Sequence, residues 1–449
     1  MTALAPEQPE QPGKAEQPGK TGHPGKAEQA GKNGPLEKNG EPEQTGKPAG
    51  PGPAELARGY LDRLRAGELG SLPAVAGLVV LCTFFALLRP VFLSNLNFAN
   101  LLTQSAGSIA IAMGLVFVLL LGEIDLSAGY ASGVCAAVLA VLLTDHGWPW
   151  YGAVTAAVLT GAVIGLLLGT LVAKVGIPSF VVTLAAFLGF QGVVLMLLKE
   201  GTNVSIKDPT VLAIANDNLS PLLGWLLLAA CAAGYAVLQV RRSRDRRGRG
   251  LAGTPPVLLA VRIGAVVVLG ALAVDLLNQE RSRNVLVNSL KGVPLVVPVI
   301  GALLLLGTFT LQRTRFGLHV YAVGGSPEAA RRAGINVASI RIAAFVICSC
   351  LAAVGGVVAA SRGNSVDPNT GGSNVLLLAV GSAVIGGTSL FGGRGRMVDA
   401  VLGGLVVAVI QNGMGLMGYS SGVKYAVTGS VLLVAAGVDA MSRRRTARR

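Results

Sequence analysis

Long apolar runs recur along this chain, and several exceed the ~18 residues needed to cross a hydrocarbon core. No other feature restricts the fold as tightly. A bilayer offers no water to backbone N–H and C=O groups, so only helices and closed barrels span it. A barrel would read as short alternating strands. The continuous runs predict instead an all-α polytopic transmembrane helical bundle. Cores are read at 72–93, 102–121, 127–144, 150–173, 178–198, 221–240, 256–277, 293–312, 339–361, 374–390, 397–418 and 422–440. That is about twelve spans, within a range of roughly ten to twelve. Glycine supplies 61 of 449 residues, many inside the runs, which predicts close helix packing.

The rest of the chain is organised around that bundle. Residues 1–53 are rich in Pro, Gly, Gln, Glu and Lys, with lysines at Lys14, Lys20, Lys26, Lys32 and Lys38. They read as a disordered cytoplasmic tail, and no apolar core of a signal peptide follows the start. Residues 54–70 (AELARGYLDRLRAGELG) read as an amphipathic helix lying on the lipid surface. Residues 71–441 form the transmembrane domain and 442–449 a basic cytoplasmic C-terminus. An N-terminus in the cytoplasm puts 241–255, 313–338 and the C-terminus on the inside, where Arg is dense. The net charge of +14 is therefore a topology signal. No aromatic-interleaved basic module points to nucleic acid.

Between two apolar runs lies SPEAARRAGINVASIRI, residues 326–342. Ser326 is suited to cap a helix and Pro327 to open it. Glu328 suits the positive end of the helix dipole, Arg331 and Arg332 the negative end, with Ala329 and Ala330 between. Gly334 supplies a left-handed C-cap. A helix this short is unstable alone in water, so it needs a surface to dock on. Two readings stand: a topology-setting loop resting on headgroups, or a coupling helix that slots into a cytoplasmic motor.

Other polar residues leave choices open. Glu123 and Asp125 end a span in a break that also holds Ser127. Asp125 reads as the N-cap of the next helix, or the pair as part of a pathway or coupling element. Gln411 and Asn412 lie inside a span, placed to bond a substrate in a passage or a neighbouring helix. Asp275 and Asp399 read as interfacial; Trp148, Trp150 and Trp225 read as interface anchors. The five cysteines (Cys82, Cys135, Cys231, Cys348, Cys350) lie in apolar runs without metal-ligand spacing, and His23, His146 and His319 are scattered. No triad, paired membrane Asp motif or phosphate loop is present, so the chain is read as a non-enzyme without a cofactor of its own.

The stretch YAVGGSPEAARRAGINV (321–337) resembles the cytoplasmic coupling loop of bacterial ABC-type monosaccharide importer permeases. The similarity continues in GGTSLFGGRG (386–395) and NGMGLMG (412–418), and LGEIDLSAG (121–129) resembles the family's Gly-x-Ile-Asp-Leu-Ser-x-Gly element. An added pair of spans at 221–292 and DPNTGGSN (367–374) make the chain most similar to D-xylose-type permeases. The resemblance implies two permease copies, an ABC ATP-binding subunit that holds ATP and Mg, and an extracellular or periplasmic sugar-binding protein. It makes 326–334 the ATPase-coupling helix of an alternating-access importer in the cell membrane. The competing reading is a secondary transporter driven by protons or sodium through Glu123 and Asp125.

Overall fold

The computed structural model describes residues 72–198, 202–250, 255–282 and 289–447. The tail at 1–53, the amphipathic stretch at 54–70 and the last two residues lie outside the described residues.

Each apolar run becomes a helix. They are α1 (Leu72–Leu88), α2 (Asn95–Leu120), α3 (Ala128–Thr144), α4 (Trp150–Thr170), extended by a π turn to Val175, and α5 (Ser179–Leu197). After a short α6 (Pro209–Asn216) come α7 (Pro221–Gly248), α8 (Pro256–Asn278) and α9 (Val296–Arg313). Two short helices, α10 (Arg315–Gly325) and α11 (Pro327–Arg332), precede α12 (Val337–Gly363). The chain closes with α13 (Ser373–Gly386), α14 (Met397–Leu416) and α15 (Ser421–Ala447). Among the described residues eight helices are long and apolar enough to cross a membrane, and four shorter apolar helices accompany them. These twelve coincide in position with the twelve cores read from the sequence.

Three local details differ from the sequence reading. The basic segment RRSRDRRGR is not a loop: α7 continues through it to Gly248, because Arg is a good helix former and Arg246 and Arg247 sit at the negative end of the dipole. Residues 315–325, read as loop, form α10. The chain is also not purely helical, since β1 (Val204–Ser205) pairs antiparallel with β2 (Ser365–Val366).

The core is built around α2 and α12, which pack on each other; α3 and α4 lie against α12, and α13 and α14 against α2. Small residues make this possible. Gly161, Gly165 and Gly169 recur once per turn on α4 and face the backbone of Ser349, Phe345 and Ile342 on α12. Among the described residues the α7–α8 hairpin packs on the bundle through Val274 and Leu277, which cluster with Val293 and Ala99.

Up-and-down helices give the bundle two ends. One holds α10, α11 and the basic end of α7; the other holds β1, β2, α6 and the bridge between Asn218 and Pro294.

Candidate functional site

The linker between α9 and α12 is a chain of capped helices with almost no free loop. Thr314 Oγ1 accepts the Gly317 N–H at 3.2 Å and starts α10. Gly317, Val320 and Val323, three residues apart, form its buried face. Ser326 then breaks the helix in extended backbone (φ −159°) and its Oγ accepts the Ala329 N–H at 3.2 Å, starting α11 at Pro327. Gly334, at φ 81°, ends α11; its N–H donates to the Arg331 carbonyl and that of Ile335 to the Ala330 carbonyl, both at 3.0 Å. Asn336 Oδ1 accepts the Ser339 N–H at 3.0 Å and starts α12. Each such cap is worth about 1 kcal/mol. Three in succession make the linker a lever.

α11 has six residues, too few to persist alone. Ala330, 4% exposed, is its anchor and belongs to the main core cluster. The remainder faces outward. The Glu328 and Arg332 side chains are 79% and 85% exposed and 3.9 Å apart, a pair of little energetic worth. Ala329 and Arg331 are exposed beside them. The helix therefore presents a polar face that the fold itself does not use.

Beneath it, three segments distant in sequence meet. A Cβ at Gly324 would land on the Leu120 carbonyl, so only glycine lets α10 cross the end of α2 there. The Gly393 N–H donates to that same Leu120 carbonyl at 2.8 Å. Tyr321 Oη–H donates to the Gly395 carbonyl at 2.8 Å. The turn after α13 thus locks onto both α2 and α10. Its far side is fixed by Asp399, whose Oδ2 accepts the Arg396 N–H at 2.8 Å and whose Oδ1 meets the guanidinium at 3.1 Å. Asp399 is 3% exposed: it lies in the first turn of α14, at a span end as read from the sequence, and its carboxylate is consumed by the helix start.

Glu123 and Asp125 join the same corner. Glu123 Oε1 lies 3.0 Å from Arg341 Nε, an ion pair in which both side chains are more than two-thirds buried. Asp125, 1% exposed, accepts the Ser127 N–H at 2.9 Å and the Ser127 hydroxyl at 2.6 Å on Oδ1, and the Cys348 thiol donates to Oδ2 at 3.5 Å. Arg341 and Cys348 are seven residues apart and so share one face of α12. The break after α2 is riveted to α12 at two levels. It is also tied to α5, since the Ile124 N–H donates to Ser179 Oγ at 3.2 Å and Thr183 Oγ1–H to the Ile124 carbonyl at 3.2 Å. Ser127 holds the N-cap position of α3 without a side-chain cap bond; the capping oxygen is that of Asp125.

Gln411 and Asn412 lie away from this corner. Gln411 donates to Thr428 Oγ1 at 2.9 Å. Asn412 and Asn97 exchange two side-chain hydrogen bonds, each 2.9 Å, joining α14 to α2. Sequence reasoning missed Arg341, Tyr321 and Asn97. Arg341 carried one usable signal, a basic residue one turn into an apolar run. Among the described residues no group of three or more His, Cys, Asp and Glu could hold a metal ion.

LGEIDLSAG, the linker and GGTSLFGGRG, separate in sequence, thus form one corner: an exposed polar helix on a lever whose base is bonded to the ends of α2, α12, α13 and α14. α10 and the turn after α13 are thereby bonded or packed directly against the end of α2. Comparison with known proteins fits that architecture. The chain is 34% identical over 392 residues to the xylose transport system permease protein XylH of Escherichia coli, covering 86% of this chain and 96% of that protein. It is 32% identical over 386 residues to XylH of Haemophilus influenzae, covering 85% and 99%. It is 29% identical over 382 residues to the ribose import permease protein RbsC of E. coli, covering 85% and 96%. No solved structure matches. The family model described as branched-chain amino acid transport system / permease component matches residues 97–436, well over half of the sequence, and the chain belongs to that family.

Proposed function

We propose that this chain is the membrane-spanning permease subunit of an ATP-driven ABC importer for a monosaccharide, with D-xylose or a related pentose as its substrate. The observation that carries the reading is α11: a capped, core-anchored helix whose Glu328, Ala329, Arg331 and Arg332 face outward. An ATP-binding subunit, with its ATP and Mg, supplies the groove that takes this face. Xylose and ribose permeases among the relatives support the sugar.

In this reading the α10–α11 end and both chain termini face the cytoplasm, which agrees with the Arg-rich end of α7. Two permease copies, taken as a homodimer, enclose the passage, and a sugar-binding protein outside the membrane delivers substrate to it. Closure of the ATP-binding subunits moves α11. The lever passes that motion through Gly324 to α2 and, from the start of α12, through Arg341 and Glu123 to the break after α2. Only contacts that differ between the inward- and outward-open states drive such a cycle. The ion-coupled alternative needs carboxylates free to load a cation. Glu123 is held by Arg341 and Asp125 by Ser127 and Cys348, which favours the ATP-driven reading.

The test is purification in mild detergent from the native membrane, followed by xylose uptake in cells lacking their own importer. Co-purification of an ATP-binding chain, with uptake that needs both, supports the proposal. Uptake by the permease alone that collapses with the ion gradient overturns it.

A further inference from the structure

Among the described residues α2 is the most buried of the membrane-crossing helices, yet one narrow face of it is open. Its exposed residues are Leu96, Asn100 and Gln104, each one helical turn from the next, and partly buried Ser108 continues the row. Three of these four are polar. The open faces at the middle of α8 and α9 are apolar by contrast: Val268, Leu269 and Leu272 on one, Leu305, Leu306 and Phe309 on the other. Those faces suit lipid tails, which are as apolar as Leu. The α2 row does not. The Asn100, Gln104 and Ser108 side chains make no hydrogen bond among the described residues. Each amide carries two N–H donors and a carbonyl acceptor. Facing hydrocarbon, such groups are costly, so water has to meet them.

The two ends of the row say how water reaches it. At the end opposite α11 it runs into a cavity of about 410 Å³, lined by Leu96, Asn100 and Thr103 with the polar Asn216, Arg281 and Arg362. Asn100 and Arg362 are exposed, so solvent enters there. At the other end the row stops. Every residue of α2 from Ile109 to Leu120 is buried. One turn beyond Thr103, Gly107 closes on α12: a Cβ on Gly107 would lie 3.2 Å from the Gly355 carbonyl oxygen, and one on Gly355 2.8 Å from that of Gly107. Ser108 lies about 20 Å along a helix about 39 Å long, so the open face ends halfway through the protein.

We infer that the outer half of α2 is the wall of a water-filled vestibule that admits the substrate, with Asn100, Gln104 and Ser108 facing the water and the Gly107–Gly355 contact as the seal beneath it. The vestibule itself stands on burial and polarity; its part in admitting a sugar rests on the proposed importer function. Amides and a hydroxyl in a row exchange hydrogen bonds readily with a hydroxyl-bearing solute and hold it nowhere tightly.

The experiment places single cysteines in the full chain, assembled with its ATP-binding subunit in right-side-out membrane vesicles. The probe is a charged, membrane-impermeant methanethiosulfonate, and the unsubstituted chain sets the background from the native cysteines. Asn100→Cys and Gln104→Cys should label about tenfold or more faster than the lipid-facing Leu305→Cys, because thiolate and reagent both need water. Ile111→Cys, below the seal, should stay at background. Labelling of Gln104→Cys no faster than Leu305→Cys overturns the vestibule, and so does a disulfide-linked dimer through Gln104→Cys, which would put a second copy on the row instead of water. Equal labelling of Ile111→Cys and Gln104→Cys overturns the seal. Gln104→Trp, at an exposed position, should cut import about tenfold by narrowing the route while the ATP-binding subunit still co-purifies. Wild-type import in that variant overturns the passage role. Fast labelling at Asn100→Cys and Gln104→Cys in an assembly that imports no monosaccharide supports the vestibule and overturns the importer reading.

Discussion

α2 and the α7–α8 hairpin are all apolar enough to cross a membrane, yet 78% of the apolar stretch of α2 is buried inside the protein and only 6% of that of α7 or α8. Apolar composition therefore separates membrane from water but not core from lipid. What separates α2, α4 and α12 from the hairpin is small residues set one turn apart against a neighbour's backbone. Lipid tails are as apolar as Leu, so helices associate by close packing and polar contacts rather than by hydrophobicity. Gly165 abuts α12, whereas nothing lies within 4 Å of a Cβ placed at Gly234 on α7.

That contrast is breakable. The largest effect is expected from Gly165→Leu, because even a Cβ there would sit 2.5 Å from the Phe345 carbonyl oxygen and the Val346 Cα. Overpacking costs about 1–3 kcal/mol where side chains can adjust; backbone cannot, so a loss of about 3 kcal/mol or more is expected in detergent melts. Gly234→Leu should melt like wild type, and equal melting of the two variants would refute the distinction.

Next in size is the Glu123–Arg341 pair. Glu123→Gln or Arg341→Met alone should each cost about 1–3 kcal/mol, below the range for a fully buried pair. The double variant should cost less than the sum, and strict additivity in the cycle would show that the pair transmits nothing.

On the connection after α8, Glu280 accepts N–H groups of Arg281, Ser282 and Leu290 and the Ser289 hydroxyl, and lies 3.8 Å from Lys291. Those donors, the Ser289 hydroxyl foremost, hold its carboxyl at about 2, below its ordinary 4.5. A depressed value means that the stabilisation is fully present above about 4.5 and fades as pH falls from there through about 2. Proteolysis of this connection should rise across that window, and Glu280→Gln should be insensitive to it. The smallest stability effect belongs to Glu328→Ala and Arg331→Ala, within about 0.5 kcal/mol of wild type. Their expected defect is in retention of the ATP-binding subunit during purification; full retention and full uptake in both would remove the coupling role.

The spans and the cap logic of α11 were legible in the sequence because both are local: Ser326, Pro327 and Gly334 act within one turn of themselves. α10 was hidden because RFGLHVYAVGG is too short and too mixed for a span, although Thr314 and the spacing of Gly317, Val320 and Val323 record it. The partners of Glu123, Tyr321 and Asn412 were illegible for a different reason. Each pairing joins residues tens to hundreds of positions apart, and no periodicity encodes which helix lies next to which. The capping role of Asp399 was illegible because a position near a span end does not say whether the residue's own helix start will consume it.

The double amide bond between Asn97 and Asn412 sets a limit on how the passage opens. Both bonds span α2 and α14, and both are lost if one helix slides past the other by a single turn of about 5.4 Å. Sliding of these two helices past one another therefore carries the loss of both bonds, about 1 kcal/mol each. A displacement taken up at helix pairs not joined by such side-chain bonds avoids that cost.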